Sequence, residues 1–204
     1  MNSVSVTGKM WISKKFNNED LLYFKENFYL DEITAKLLSI RKIKREDVNL
    51  FLNPTIKDSL SNPFEIKDMD LAVKRTIEII KKKERVAIYG DYDVDGASAT
   101  ALLGQYSKHI GQPYVIYIPD RKSEGYGPNV KSFSYLIQEG VKLIYTVDCG
   151  TLSYEPIEFA KNKKVDVIVL DHHQSETELP KAHSIVNPNR FDDTSKLNYL
   201  CAAG

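Results

Sequence analysis

Val86-Ala87-Ile88-Tyr89-Gly90-Asp91-Tyr92-Asp93-Val94-Asp95-Gly96 is an apolar run that ends in three carboxylates at alternate positions. A short continuous apolar run suits a strand buried on both faces. Residues Ala97–Ile110 then show helical patterning, so the acids sit at a strand-to-helix step. Clustered like charges repel and cost stability when brought together. A fold tolerates them best when a cation neutralises them, so this stretch predicts a metal site. Asp171-His172-His173, after the apolar run Val167–Leu170, adds a carboxylate and two imidazoles.

The same rhythm recurs from Arg85 onward. Apolar runs Val86–Tyr89, Tyr114–Ile118, Leu143–Val147 and Val165–Leu170 alternate with helical patterns near Ala97–Ile110, Val130–Gln138 and Tyr154–Lys161. A weaker run, Ser184–Val186, comes last. Such alternation predicts an α/β fold, a parallel sheet flanked by helices. Asp91, Asp93 and Asp95 come after the first strand, Asp120 after the second and Asp148 after the third; Asp171, His172 and His173 come after the fourth. The carboxyl ends of an open parallel sheet face one crevice, so all these groups are expected to converge there.

Residues 1–67 read as a small helical N-terminal segment and 68–204 as the α/β domain. One helix is expected over Asp20–Ser39 and another over Arg45–Leu52, ended by Asn53-Pro54. Asp70–Lys83 is an amphipathic helix with Leu71, Val73, Ile77 and Ile80 on its apolar face. Trp11 is expected to anchor the N-terminal helices, and Cys149 to be a small packing residue. Residues Asn198–Gly204 read as the start of a helix, so the chain is expected to be truncated at its C-terminus.

Lys+Arg and Asp+Glu are both 28 in the 204 residues, so no global basic field advertises nucleic acid. A local basic groove can coexist with zero net charge. The clusters Arg41-Lys42, Lys44-Arg45, Lys81-Lys82-Lys83 and Lys161 with Lys163-Lys164 read as solvated helix ends and loops. Two cysteines form no disulfide framework, and no apolar run approaches transmembrane length. A cytoplasmic protein with no membrane partner is expected.

Carboxylates with imidazoles and no thiolate cluster suit Mn²⁺, Fe²⁺ or Zn²⁺, with Mn²⁺ favoured; a pure oxygen set would suit Mg²⁺ or Ca²⁺. The number of donors is enough for two ions about 3.5–4 Å apart, which activate a water and stabilise a phosphoryl transition state. This chemistry points to phosphoester hydrolysis. An EF-hand is disfavoured because Leu102 stands where the bidentate Glu belongs and a strand precedes the loop. There is no P-loop, and Gly125-Tyr126-Gly127 is too short for a dinucleotide fingerprint. A purely structural alternative makes the Asp triplet an Asx-rich turn capping the next helix.

These residues resemble the DHH phosphoesterase superfamily. Ile88–Gly96 is similar to its first motif, Thr146-Val147-Asp148-Cys149-Gly150 to its second, and Asp171-His172-His173 to the triplet that names it. Within it, the RecJ-type single-strand-specific exonucleases are most similar. Supporting stretches are Leu50–Pro54, Asn62-Pro63-Phe64, Asp68-Met69, Ile118–Arg121, Glu124–Gly127 and Val186-Asn187-Pro188. The resemblance implies Asp93, Asp95, Asp148 and His172 as metal ligands, with Asp91 in the same shell. It implies that His173 contacts the scissile phosphate and that Arg121 lies near the cleft. It implies a 5′→3′ exonuclease on single-stranded DNA with Mn²⁺ or Mg²⁺, serving repair and recombination beside other repair proteins. Oligoribonucleotide or small-nucleotide hydrolysis, and a non-catalytic single-strand-binding scaffold, are the alternatives. Tyr89 stands where many members have a His ligand. The family's fourth motif lies beyond Gly204, so the isolated chain is expected to be an impaired nuclease.

Overall fold

Strands β1 (Val86–Gly90), β2 (Tyr114–Tyr117), β3 (Leu143–Val147), β4 (Asp166–Leu170) and β5 (Ser184–Val186) pair in parallel in the order β2-β1-β3-β4-β5. The computed structural model describes residues 4–204. It divides into two compact units, Met1–Ser61 and Asn62–Gly204. Gly90 of β1 lies opposite Val147 of β3, and Val147 opposite Leu170 of β4. The carboxyl ends of these three strands are therefore level, and the loops leaving them meet at a common edge. The strand order reverses direction between β1 and β3, the place where such sheets open a ligand crevice.

The first unit carries α1 (Asn18–Phe28), α2 (Glu32–Ile40), α3 (Val48–Leu52) and α4 (Ile56–Ser59). Phe24, Ala35, Leu38 and Val48 form its buried centre. The single helix expected over Asp20–Ser39 is thus two helices. Tyr29 ends α1 in the left-handed region at φ 54°, and the Asp31 carboxylate starts α2 by accepting from the N–H groups of Ile33 and Thr34. Trp11 is 72% exposed and anchors no helix.

In the second unit α5 (Met69–Lys82) and α6 (Val94–His109) cover one face of the sheet, and α7 (Val130–Gln138) and α8 (Tyr154–Asn162) the other. Side chains alternate between faces along a strand. Ala87, Tyr89, Ile144 and Val167 accordingly pack with Phe133, Leu136 and Ile157, while Val86, Ile88, Leu143 and Ile168 pack with Ile79 and Ala99. Every residue of β1 and β3 is buried. Phe133 and Leu136 are fully buried, and each such side chain contributes roughly 1.5–3 kcal/mol.

Cys149 is buried in the α7–α8 side of the core, as expected. Residues Asn198–Gly204 form turns instead of the expected helix start. The Gly204 N–H closes onto the Cys201 carbonyl, three residues back, which is a turn and not an α-helical step. Leu200, Ala202 and Ala203 pack against the α5–α6 side of the core. No helix among the described residues is long and apolar enough to cross a membrane.

Candidate metal centre

β1 delivers Asp91 directly at its end, and α6 begins almost at once. A Cβ on Gly96 would stand 2.7 Å from the Asp91 backbone oxygen, so only glycine lets the helix start this close to the strand. Asp91 is buried, and its Oδ1 has no hydrogen-bond partner. Burial pushes its pKa up, with the neighbouring Asp93 charge acting the same way. Asp93 is exposed and caps α6: the Gly96 N–H donates to its Oδ1 at 2.9 Å. That bond holds its pKa below the usual carboxylate value. The capping alternative is therefore correct for Asp93, and a carboxylate oxygen of the same residue still lies within the donor group with Asp91 and Asp148.

Asp148 comes directly after β3 in a left-handed conformation, φ 60°, and Gly150 has φ 113°. A Cβ on Gly150 would lie 2.4 Å from Thr146 Oγ1, so the turn admits no side chain there. The turn aims the Asp148 carboxylate into the crevice at 1% exposure. Burial, then the charges of Asp95 and Asp93, push its pKa up to about 7. Its Oδ1 lies 3.2 Å from His172 Nε2, without the alignment of a hydrogen bond.

The Asp171 carboxylate is fully engaged in holding this edge together. Its Oδ2 accepts from the Thr151 N–H and hydroxyl at 3.0 and 2.7 Å. Its Oδ1 accepts from the N–H groups of His172 and His173 and lies 2.7 Å from His173 Nδ1. Burial pushes the Asp171 pKa up, but the bonds from Thr151 and His173 outweigh it and leave it lowered. Burial likewise opposes the charge on His173, and the Asp171 carboxylate outweighs it, so that imidazole is raised.

Two overlapping donor groups result: Asp91, Asp93 and Asp148, and Asp148, His172 and His173. Within each, the ligand atoms lie within 4.8 Å of one another. Asp95 borders the second group, with Oδ2 3.5 Å from His172 Nε2. Its two oxygens also accept from the N–H groups of Ala202 and Ala203, each at 2.8 Å. Asp120 does not join. Its Oδ1 accepts from the N–H groups of Lys122 and Ser123 and from the Ser123 hydroxyl, so it builds a turn at the edge strand. The Arg121 guanidinium sits over the Tyr92 ring, 5.1 Å from its centroid, which keeps a cation beside the first motif.

Tyr126 is a site residue that the sequence did not single out. Its hydroxyl donates to the Asp148 carbonyl at 3.1 Å and lies 3.4 Å from both ring nitrogens of His173. Gly125 and Gly127, both at positive φ, flank it in the turn, and the available signals were that glycine pair and the place of Glu124–Gly127 in the family resemblance. Buried, unpartnered oxygens on Asp91 and Asp148 are costly unless something positive meets them. They fit a divalent cation, and the mixed oxygen and imidazole donors fit Mn²⁺ well.

Residues 85–204 match the DHH family, N-terminal domain. The chain belongs to the DHH family, as its three motifs led us to expect. It is 33% identical over 195 residues to the single-stranded-DNA-specific exonuclease RecJ of Bacillus subtilis (strain 168), covering 95% of this chain and 25% of that protein. RecJ of Haemophilus influenzae is 37% identical over 139 residues, 68% of this chain and 24% of that one. The crystal structure of exonuclease RecJ bound to manganese superposes with a TM-score of 0.64 at 28% identity, over 71% of this chain and 37% of that one. The chain thus spans about a quarter of the length of the curated relatives it matches.

Proposed function

We propose that this chain supplies cation-binding residues of a nuclease that hydrolyses single-stranded DNA from its 5′ end, in repair and recombination. The observation that carries this is the pair of donor groups sharing Asp148. A shared buried carboxylate between two groups suits two neighbouring ions. Asp91, Asp93 and Asp148 would hold one ion, and Asp148, His172 and Asp95 the other, with residues 68–204 as the catalytic domain. When bound, Mn²⁺ or Mg²⁺ would neutralise charge at the phosphoryl oxygens and favour an attacking water. His173, held by Asp171 and faced by Tyr126, would donate to a phosphate oxygen. Arg121 would add a cation beside Tyr92 for the strand's backbone. The likeness to RecJ proteins supports DNA as the substrate, and two free cysteines fit a reducing cytoplasm.

The test is Mn²⁺-dependent release of mononucleotides from 5′-phosphorylated single-stranded DNA by the protein as its gene encodes it, with an oligoribonucleotide arm. Asp148→Ala and His172→Ala are each expected to lower turnover to below a few per cent while the chain stays folded. Turnover within twofold of the native rate in either variant would overturn the assignment. Preference for the oligoribonucleotide would move the substrate to RNA.

A further inference from the structure

The segment Asn187-Pro188-Asn189-Arg190 leaves β5 and runs alongside the two histidines without contributing a candidate ligand. Asn187 is fully buried. Its Nδ2 donates to Thr151 Oγ1 and to the His173 carbonyl, both at 2.9 Å, and its Oδ1 accepts from the Asn189 N–H at 2.8 Å. The Asn189 Nδ2 donates to the His172 carbonyl. Arg190, 8% exposed, ties the segment down from behind through Asp68 and the Ile185 carbonyl.

We infer that Asn187 and Asn189 are positioning residues that set the orientation of His172 and His173 at the candidate metal centre. Asp171 holds the N–H side of this dipeptide, and the two asparagines hold its carbonyl side. The backbone of both histidines is thereby fixed on two sides. Each imidazole is left only its side-chain rotations with which to miss Asp148. Thr151 closes the frame, since its hydroxyl donates to Asp171 and accepts from Asn187. The frame needs amide N–H donors, which an isosteric carboxylate cannot supply. Partners behind a ligand typically tune metal affinity by about 10–100-fold.

The inference rests on the proposed cation site for its consequence, and the experiment separates the two. Long-range ¹H–¹⁵N spectra of the metal-free chain report the rings of His109, His172, His173 and His183. Asn189→Ala and the isosteric Asn189→Asp are expected to shift or broaden the His172 and His173 ring signals and to leave His109 and His183 unmoved. Free Mn²⁺ counted by electron paramagnetic resonance is expected to show affinity lowered at least tenfold in both. Asp31→Ala, which removes the α2 cap in the other compact unit, serves as the control with unchanged rings and affinity. Asn189 is chosen because it is only half-buried, so the variants keep the core intact. Unmoved His172 and His173 signals in both Asn189 variants would overturn the positioning role, as would equal shifts at all four histidines. If the native chain fails to bind Mn²⁺ while the ring signals move as expected, the cation reading fails and the positioning role stands.

Discussion

Asp148 is a carboxylate buried among like charges, where burial and ionisation oppose one another. Its carboxyl keeps its proton up to about pH 7, whereas an unfolded aspartate ionises near pH 4. Between those limits the native state binds more protons than the unfolded one, so stability falls as pH rises and levels off above about pH 7. His173, raised by Asp171, acts in the same direction. Its stabilisation is present at low pH and lost as pH rises through its native value. We expect the metal-free chain to be more stable at pH 5 than at pH 8, by roughly 2–3 kcal/mol at most from Asp148. Asp148→Asn should flatten this slope and raise metal-free stability at pH 8. Mn²⁺ selects the ionised form, so its affinity should rise with pH up to about pH 7. Urea midpoints across pH for both proteins, with and without Mn²⁺, measure this. Parallel slopes in native and variant chains would show that Asp148 is not the titrating group.

At the scale of elements, the strands were legible because a two-face-buried strand leaves an unbroken apolar run, as in Val86–Tyr89 and Leu143–Val147. Their carboxyl ends located Asp91, Asp148 and His172 together for the same reason. Asp120 failed that rule because a local turn binds its Oδ1 three times over, a choice that strand position does not determine. The α1–α2 break was missed because no Gly or Pro marks it and apolar spacing continues across it. The signal lay in Asp31 with Thr34, a helix start hidden inside a helical pattern. Asn187 and Asn189 were beyond reach, because the carbonyl each amide meets lies 14 and 17 residues earlier, on a different loop of the sheet edge. The Asp31 cap gives this scale its prediction. Asp31→Ala should lose about 1 kcal/mol, read as a lower thermal midpoint by circular dichroism, with Asp31→Asn near the native value. Equal midpoints for Asp31→Ala and the native chain would mean that tertiary packing alone sets the start of α2.

For the whole molecule, the carboxylate cluster is expected to make folding responsive to ions. A cation bound only by the native state adds RT ln(1 + [L]/Kd), about 2.7 kcal/mol at a hundredfold excess over Kd. Mn²⁺ should therefore raise the melting temperature in a concentration-dependent way that EDTA reverses. Ca²⁺, which favours oxygen donors, should do so far less. Indistinguishable Mn²⁺ and Ca²⁺ curves would argue that His172 is not a ligand.

The contact between Asp95 and the amides of Ala202 and Ala203 joins residues more than a hundred positions apart. During synthesis the first motif leaves the ribosome well before Asp148, the histidine pair or those two amides, and chains emerge at about 5–20 residues per second. The nascent triplet therefore spends several seconds as a few water-exposed acids with no imidazole and no organised pocket. Any ion it meets in that interval is held weakly and exchanges freely with the surrounding pool. Selection of the metal is deferred at least until Asp148 and the histidine pair have emerged and packed, so it falls to the folded donor set rather than to whichever cation arrives first.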